Sequence, residues 1–362
     1  MATPLGEKLT AIIAANGPIS LADYMAHCLA DPEHGYYAIR DPLGPAGDFT
    51  TAPEINQMFG ELIGAWLVHA WRAIGAPAPA ILAEAGPGRG TLMADILRAA
   101  SIDPAFTNAI SVHLVETGPA LRDKQEVALA GVNIPVTWHE RIDEVPGGPL
   151  FFVANEFFDA LPIRQYIRTG GNWRERVIAL DGTGNLVFGL GPDCLDRSIA
   201  KAPEGAPEGA IIEICPAATA IMDIIASRIA AFGGAALVID YGYGEAAFGD
   251  TLQAVKNHAF ADPLTEPGEV DLTAHVDFAA LARSARRAGT AAHGPMDQSA
   301  FLLAAGLLQR AGRLGAGKDV ATRDAIRTAV ERLAGPAAMG TLFKVLAVTP
   351  AGLVPPPFDG AN

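Results

Sequence analysis

The chain has 362 residues, half of them apolar, and a formal net charge of −14. At roughly 100 to 200 residues per domain, that length fits two domains or one enlarged α/β domain. With no Lys/Arg run, the acidic balance argues against a phosphate-tracking nucleic-acid binder; it suits either a cationic substrate, such as an Arg or Lys of another protein, or solubility alone.

The start, "MATPLGEKLTAIIAANGPIS", has no basic segment ahead of a long apolar run and no Arg-rich character, so neither a signal nor a transit peptide is expected. Cys28, Cys194 and Cys215 are far apart and lack zinc spacing, which fits a reducing cytoplasm and no metal. No apolar run reaches the roughly 18 residues of a membrane helix.

"LGEKLTAIIAANG" reads as a helix closing on Gly17, and "SLADYMAHCLAD" as a helix capped by Ser20 with Asp23 three residues on. "PEHGYYAIRDPLGPAGDFTTAPE" reads as a long loop carrying Asp48, Thr50, Thr51 and Glu54. "INQMFGELIGAWLVHAWRAIG" is an amphipathic helix whose apolar face serves either the core or a homodimer interface.

From residue 80 the pattern alternates. "AILAEAG", "ISVHLVE", "IPVTWHE" and "GPLFFVANEFF" read as strands, with helices "TLMADILRAA" and "PALRDKQEVALA" between them. Such alternation predicts an α/β fold, a parallel Rossmann-like sheet with helices on both faces. Residues 163–192 switch to period two and predict inserted antiparallel strands. After the helix "TAIMDIIASRIAAFGG" and the strand "AALVIDYG", the end "MGTLFKVLAVTP" predicts a final strand paired with "TAAHGPM". The expected plan is a helical region over 1–78, a main domain over 79–350 with insertions near 163–215 and 245–330, and a tail over 351–362.

The chemistry concentrates where strands end. In "ILAEAGPGRGTLMADIL" a strand carrying Glu84 runs into Gly86, Pro87, Gly88 and Gly90 and then opens a helix. Glycines let a backbone approach a ligand closely, and a helix N-terminus favours negative charge. The spacing is G-x-G-x-G, one residue shorter at the third glycine than the dinucleotide fingerprint. It resembles motif I of class I methyltransferases, in which the turn packs under S-adenosylmethionine.

Glu116, at the tip of the next strand, can accept both hydroxyls of a ribose, a device an NAD enzyme also uses, so it separates nucleosides from other ligands without choosing between the two enzymes; the plainer alternative is a solvated strand-end carboxylate. Trp138 is either an adenine-pocket edge or core. In "NEFFDALP" the fourth strand delivers Asn155, Glu156 and Asp159. Two carboxylates suit a guanidinium, which they can grip and polarise beside a donated methyl group; the plainer alternative is a strand-end turn with a capping Asp.

Taken together, "GDFTTAPEINQMFGELIGAW", "EAGPGRGTLMADILR", "HLVE", "NEFFDALP", "EICPAA", "GGAALVIDYGY", "PGEVDLTAHVDF" and "QSAFL" resemble the MidA-like methyltransferases, in order and from about residue 20 to about residue 345. That family includes the mitochondrial complex I assembly methyltransferase and its bacterial relatives. The resemblance implies a class I fold with extra helices, S-adenosyl-L-methionine as methyl donor, and symmetric dimethylation of an arginine on a protein such as a complex I core subunit. It implies Glu84, Gly86, Pro87, Gly88, Gly90, Glu116 and Asn155 along the cofactor, with Asp48, Phe49, Thr50, Thr51 and Glu54 closing over it. Asn155, Glu156 and Asp159 are implied at the acceptor, and Asp240 and Tyr241 at the tip of the next strand. Asp271, Thr273, His275 and Asp277 either shape the acceptor pocket or begin a helix capped by Asp271. "MGTLFKVL" departs from the family, with Thr341 and Leu342 where a charged pair is usual. Two further readings stand beside the methyltransferase: a dinucleotide oxidoreductase, and an assembly protein that binds the cofactor without turnover.

Overall fold

The computed structural model describes residues 3–39, 50–194, 205–245 and 247–360. It divides into two compact units, and the chain passes between them repeatedly. The first comprises 1–49, 159–218 and 245–277, the second 50–158, 219–244 and 278–362.

In the first unit, helix Pro4–Asn16 stops at Gly17, whose φ of 87° is open to glycine and costly for other residues. Helix Leu21–Ala30 starts at Ser20, which accepts from the Asp23 N–H. Both helices share a core with Ile163, Ile178 and Leu272. The period-two stretch forms the expected antiparallel strands Arg164–Thr169, Asn172–Leu180 and Leu186–Cys194, to which Ile211–Ile214 is added. Asp271–Thr273 is a strand paired antiparallel with Gln253–Lys256, not a helix start. Asp271 therefore caps no helix; the helix nearby begins at Phe278. The supposed loop before Met58 also holds two short helices, Tyr36–Ile39 and Ala52–Ile55. Asp48 and Phe49 lie outside the described residues.

The second unit is built on seven strands: β1 (Ala80–Ala85), β2 (Ile110–Val115), β3 (Val136–His139), β4 (Leu150–Asn155), β5 (Gly234–Tyr243), β6 (Thr290–Asp297) and β7 (Phe343–Pro350). Their order is β3-β2-β1-β4-β5-β7-β6. The first five are mutually parallel, and β7 lies antiparallel to both β5 and β6, with Ala292 opposite Val348. Phe151, Val153, Leu237, Ile239, Val345 and Ala347 share one core with the helices Met58–Ala73 and Thr91–Ala100. The alternate residues Phe152, Ala236, Val238 and Leu346 are just as buried. Both faces of the sheet are therefore covered, as continuous apolar runs in parallel strands require.

The apolar face of helix Met58–Ala73 lies in this core. A Cβ at Gly60 would stand 2.5 Å from the Asp95 Cβ, and one at Gly64 2.7 Å from the Ile96 carbonyl oxygen. These two glycines let the helix lie directly against Thr91–Ala100, the helix that follows the glycine turn. Glu61, on the same helix, holds Arg98 and Arg310 in an ion-pair cluster. Among the described residues no helix is long and apolar enough to cross a membrane.

Phe106 is fully buried between Trp71 and Phe151, edge-on to both at 5.3 and 6.3 Å. Phe106→Ala is expected to lower unfolding free energy by roughly 3–5 kcal/mol, measured as a shift in urea midpoint. A shift of a few tenths would mean that this aromatic stack can collapse around the deletion.

Candidate active site

Parallel strands deliver their carboxyl ends to one edge. The register sets Ala85 beside Val115 and Ala154, and Asn155 beside Ile239. Glu84, Glu116, Asn155, Glu156 and Asp240 are thereby gathered along the edge where strand order reverses around β1, the position at which open α/β sheets bind ligands.

The turn after β1 needs its glycines. Gly86, Gly88 and Gly90 have φ of 63°, 53° and 82°. A Cβ at Gly86 would meet the Phe157 ring at 2.9 Å, and one at Gly90 the Gln125 Cα at 3.2 Å. The turn is closed by the Gly90 N–H donating to the Pro87 carbonyl at 2.8 Å, and Gly90 opens helix Thr91–Ala100.

Three carboxylates at this edge are buried in three different ways. Glu116 accepts from the Gly118 N–H at 2.7 Å through Oε1 and from Gln125 Nε2 at 3.2 Å through Oε2. Burial raises its pKa, and these donors partly offset the rise. Asp240, fully buried, accepts from the backbone N–H groups of Phe157 (3.2 Å), Phe158 (3.0 Å) and Tyr241 (2.9 Å) and so pins the turn that leaves β4. Glu84 is 2 % exposed, and its Oε2 has no hydrogen-bond partner among the described residues. Burial, then the nearby Glu116 charge, push the Glu84 carboxyl up to about 8.

Glu156 follows β4 at φ 51°, a left-handed conformation that costs a non-glycine residue of order 1–3 kcal/mol. Its N–H donates to the Ile239 carbonyl at 3.0 Å. Its Oε1 accepts from Asn155 Nδ2 at 2.9 Å and from the Ala52 N–H at 3.1 Å. Thr51 is the N-cap of the helix Ala52–Ile55, and Thr50 precedes it. Glu54, in the same helix, accepts from Thr91 Oγ1 at 2.6 Å. Asn155 Oδ1 is buried without a partner among the described residues. The expected residues Thr50, Thr51, Glu54, Glu84, Gly86, Pro87, Gly88, Gly90, Glu116, Asn155 and Glu156 thus all fall in the second unit.

Asp159 does not: the division falls just before it, and it belongs to the first unit. There it is buried near Tyr37, whose hydroxyl donates to Asp271 Oδ1 at 3.3 Å. Burial, Asp271 and Asp159, in that order, raise the Tyr37 pKa. Thr273 is buried in the same unit, and the His275 N–H donates to Thr251 Oγ1.

Gln125 was not singled out from the sequence. It is fully buried and joins three site elements: Nε2 donates to the Gly88 carbonyl at 2.8 Å and to Glu116, and Oε1 accepts from Trp138 Nε1 at 2.8 Å. A signal was available, since Leu121, Gln125 and Leu129 share the buried stripe of helix Pro119–Leu129. A glutamine on an apolar stripe needs partners. Among the described residues no group of three or more His, Cys, Asp or Glu is arranged to hold a metal.

A glycine turn after β1, an acid after β2 and an antiparallel β7 set between β5 and β6 define a class I methyltransferase. The comparisons agree. The chain belongs to the family described as "Putative S-adenosyl-L-methionine-dependent methyltransferase", which it matches over residues 62–296. It is 37% identical to "Protein arginine methyltransferase NDUFAF7, mitochondrial" of Danio rerio over 94% of this chain and 86% of the relative. The Homo sapiens protein of that name is 36% identical over 96% and 84%. A Burkholderia thailandensis protein crystallised with S-adenosyl-homocysteine superimposes with a TM-score of 0.80 at 28% identity, covering 95% of this chain and 91% of that one. The chain is an S-adenosylmethionine-dependent methyltransferase.

The raised Glu84 pKa has a signed consequence. Above the unfolded value near 4.3 and up to about 8, the folded protein keeps a proton that the unfolded chain has lost. Stability therefore falls as pH rises through that window. Glu84→Gln removes the titration. The ligand-free variant should be more stable than wild type by a few kcal/mol at pH 8, at about 1.4 kcal/mol per pKa unit, and the gap should narrow towards pH 5. An equal gap in thermal melts at both pH values would overturn this.

Proposed function

We propose that the enzyme is a protein arginine N-methyltransferase, making symmetric dimethylarginine on a respiratory complex I subunit or a similar protein. The observation that carries this reading is the identity of more than a third, over nearly the whole chain, with proteins named protein arginine methyltransferases. On this reading Gly86, Pro87, Gly88 and Gly90 cradle the cofactor, and Glu116 takes its ribose hydroxyls. Glu84 faces its ammonium group, and Asn155, Thr50, Thr51 and Glu54 complete the pocket. The residues fit: the turn at Gly86, Gly88 and Gly90 carries no side chains at those three positions, and Glu84 Oε2 and Asn155 Oδ1 are buried acceptors without partners among the described residues.

When bound, the cofactor supplies an electrophilic methyl group on a sulfonium. The protein's share is to place a nitrogen lone pair in line with it. Glu156 accepts from guanidinium N–H groups and draws positive charge towards itself, which leaves the facing nitrogen richer in electrons. Asn155 holds the Glu156 carboxylate through its amide N–H. The free thiols of Cys28 and Cys215 support a reducing, cytoplasmic setting.

Calorimetric titration should give saturable binding of S-adenosylmethionine and S-adenosylhomocysteine and none of NAD. Mass spectrometry of candidate complex I subunits incubated with enzyme and cofactor should then find dimethylarginine. Cofactor binding with no arginine methylated would sink the arginine assignment. Glu156→Gln is expected to cut methyl transfer by about 100-fold or more while moving the S-adenosylhomocysteine Kd less than about fivefold. Gly88→Val forces a branched side chain onto φ 53° and into ligand space, and should abolish cofactor binding in a folded protein. Unchanged affinity there would remove the turn from the cofactor site.

A further inference from the structure

We infer that Gln125 is a positioning residue for the nucleoside half of the cofactor, fixing the distance between the glycine turn and the ribose acceptor Glu116 from the helix behind them. The inference deepens the cofactor assignment proposed above and rests on it.

The orientation of the Gln125 amide is dictated by chemistry. An indole N–H can only donate, so the group 2.8 Å from Trp138 Nε1 must be the amide oxygen. The amide nitrogen then faces the Gly88 carbonyl at 2.8 Å and Glu116 Oε2 at 3.2 Å and spends one hydrogen on each. All three links are used, and the side chain is fully buried. The glycine turn, the end of β2 and the end of β3 are therefore tied to a single planar group. With the Gly118 N–H on Oε1, Glu116 is gripped at both oxygens and cannot swing away. Each of those oxygens keeps lone-pair capacity, so a ribose diol finds its acceptors already aimed. Leucine at 125 would keep the volume and lose all three bonds. Glutamate would keep the volume and the acceptor for Trp138, but when ionised it cannot donate and sets a carboxylate against Glu116. Glu84 and Arg122 are charged groups that act on Glu116, and Arg122 donates to the Glu116 carbonyl.

The test is titration of purified wild type, Gln125→Leu and Gln125→Glu with S-adenosylhomocysteine and with 5′-methylthioadenosine, which keeps the nucleoside and lacks the amino acid. Both variants should bind each probe about tenfold or more weakly at pH 8, the scale of one or two lost hydrogen bonds. Burial and the facing carboxylates raise the pKa of a glutamate at 125, so lowering the pH restores a donor. The ratio of Gln125→Glu to wild-type Kd should therefore shrink several-fold between pH 8 and pH 5.5, while the Gln125→Leu ratio stays level. A residue that merely fills space would leave the Gln125→Leu affinity at the wild-type value. A wild-type Kd matched by both variants, or a pH-independent Gln125→Glu ratio, overturns the inference. If Gln125→Leu does not fold, Gln125→Met, unbranched and without an amide, takes its place. Absence of S-adenosylhomocysteine binding by wild type itself would instead refute the cofactor assignment, so the two failures are distinguishable.

Discussion

The reversal of strand order around β1 governs this site. β2 and β4 flank β1 on opposite sides, and all three run the same way, so their connections leave the sheet at one edge. Chemistry can only be assembled there, because elsewhere the sheet is covered by apolar side chains on both faces. The register then decides which residues meet. With Ala85 level with Val115 and Ala154, the next residues on the flanking strands are Glu116, just past β2, and Asn155, the last residue of β4. A slip of one residue on β4 would turn Asn155 from one face to the other. The packing of Phe151 and Val153 against one core and Phe152 against the other opposes that slip.

Placing carboxylates at a dry edge creates a desolvation problem, and the protein answers it unequally. Asp240 receives three backbone N–H groups and serves as a structural anchor for the turn at 156–158. Glu116 receives one backbone and one side-chain donor, enough to fix it but leaving acceptor capacity. Glu84 is left with an unpartnered oxygen among the described residues and responds by holding its proton into the neutral range. The gradient from satisfied to unsatisfied runs from Asp240 through Glu116 to Glu84. An unsatisfied buried carboxyl is destabilising in the free protein and becomes favourable once a donor or cation arrives.

Much of this was legible in local sequence, because local physics set it. Gly17 and Ser20 end and begin helices through bonds to residues within four positions. The glycine turn, the continuous apolar strands and the pairing of "TAAHGPM" with the last strand follow from patterns a few residues long. What escaped was set by distant partners. Asp271 sits in a strand because Val255 pairs with it, a match that nothing within "DLTAHVDF" announces. Asp159, three residues after Glu156, belongs to a different unit because of contacts made by residues far from it in sequence. Gln125 is placed by Gly88, Glu116 and Trp138, which the fold brings around it from three other elements. The left-handed Glu156 could not be read either, since its backbone is held by Ile239 on β5 and by the Asp240 carboxylate beneath the next two residues.

That held conformation links rigidity to adaptability. The strain at Glu156 persists because strand β5 constrains it from both sides, so the position of its carboxylate is set by the sheet. The short helix Ala52–Ile55, by contrast, meets this edge through the Ala52 N–H on Glu156 and the Glu54 carboxylate on Thr91. Both contacts use polar groups at the carboxyl edge itself. On the proposed reading, a guanidinium and the Ala52 N–H both draw on the Glu156 carboxylate. The substrate contact at Glu156 and the placing of residues 52–55 then meet at one carboxylate.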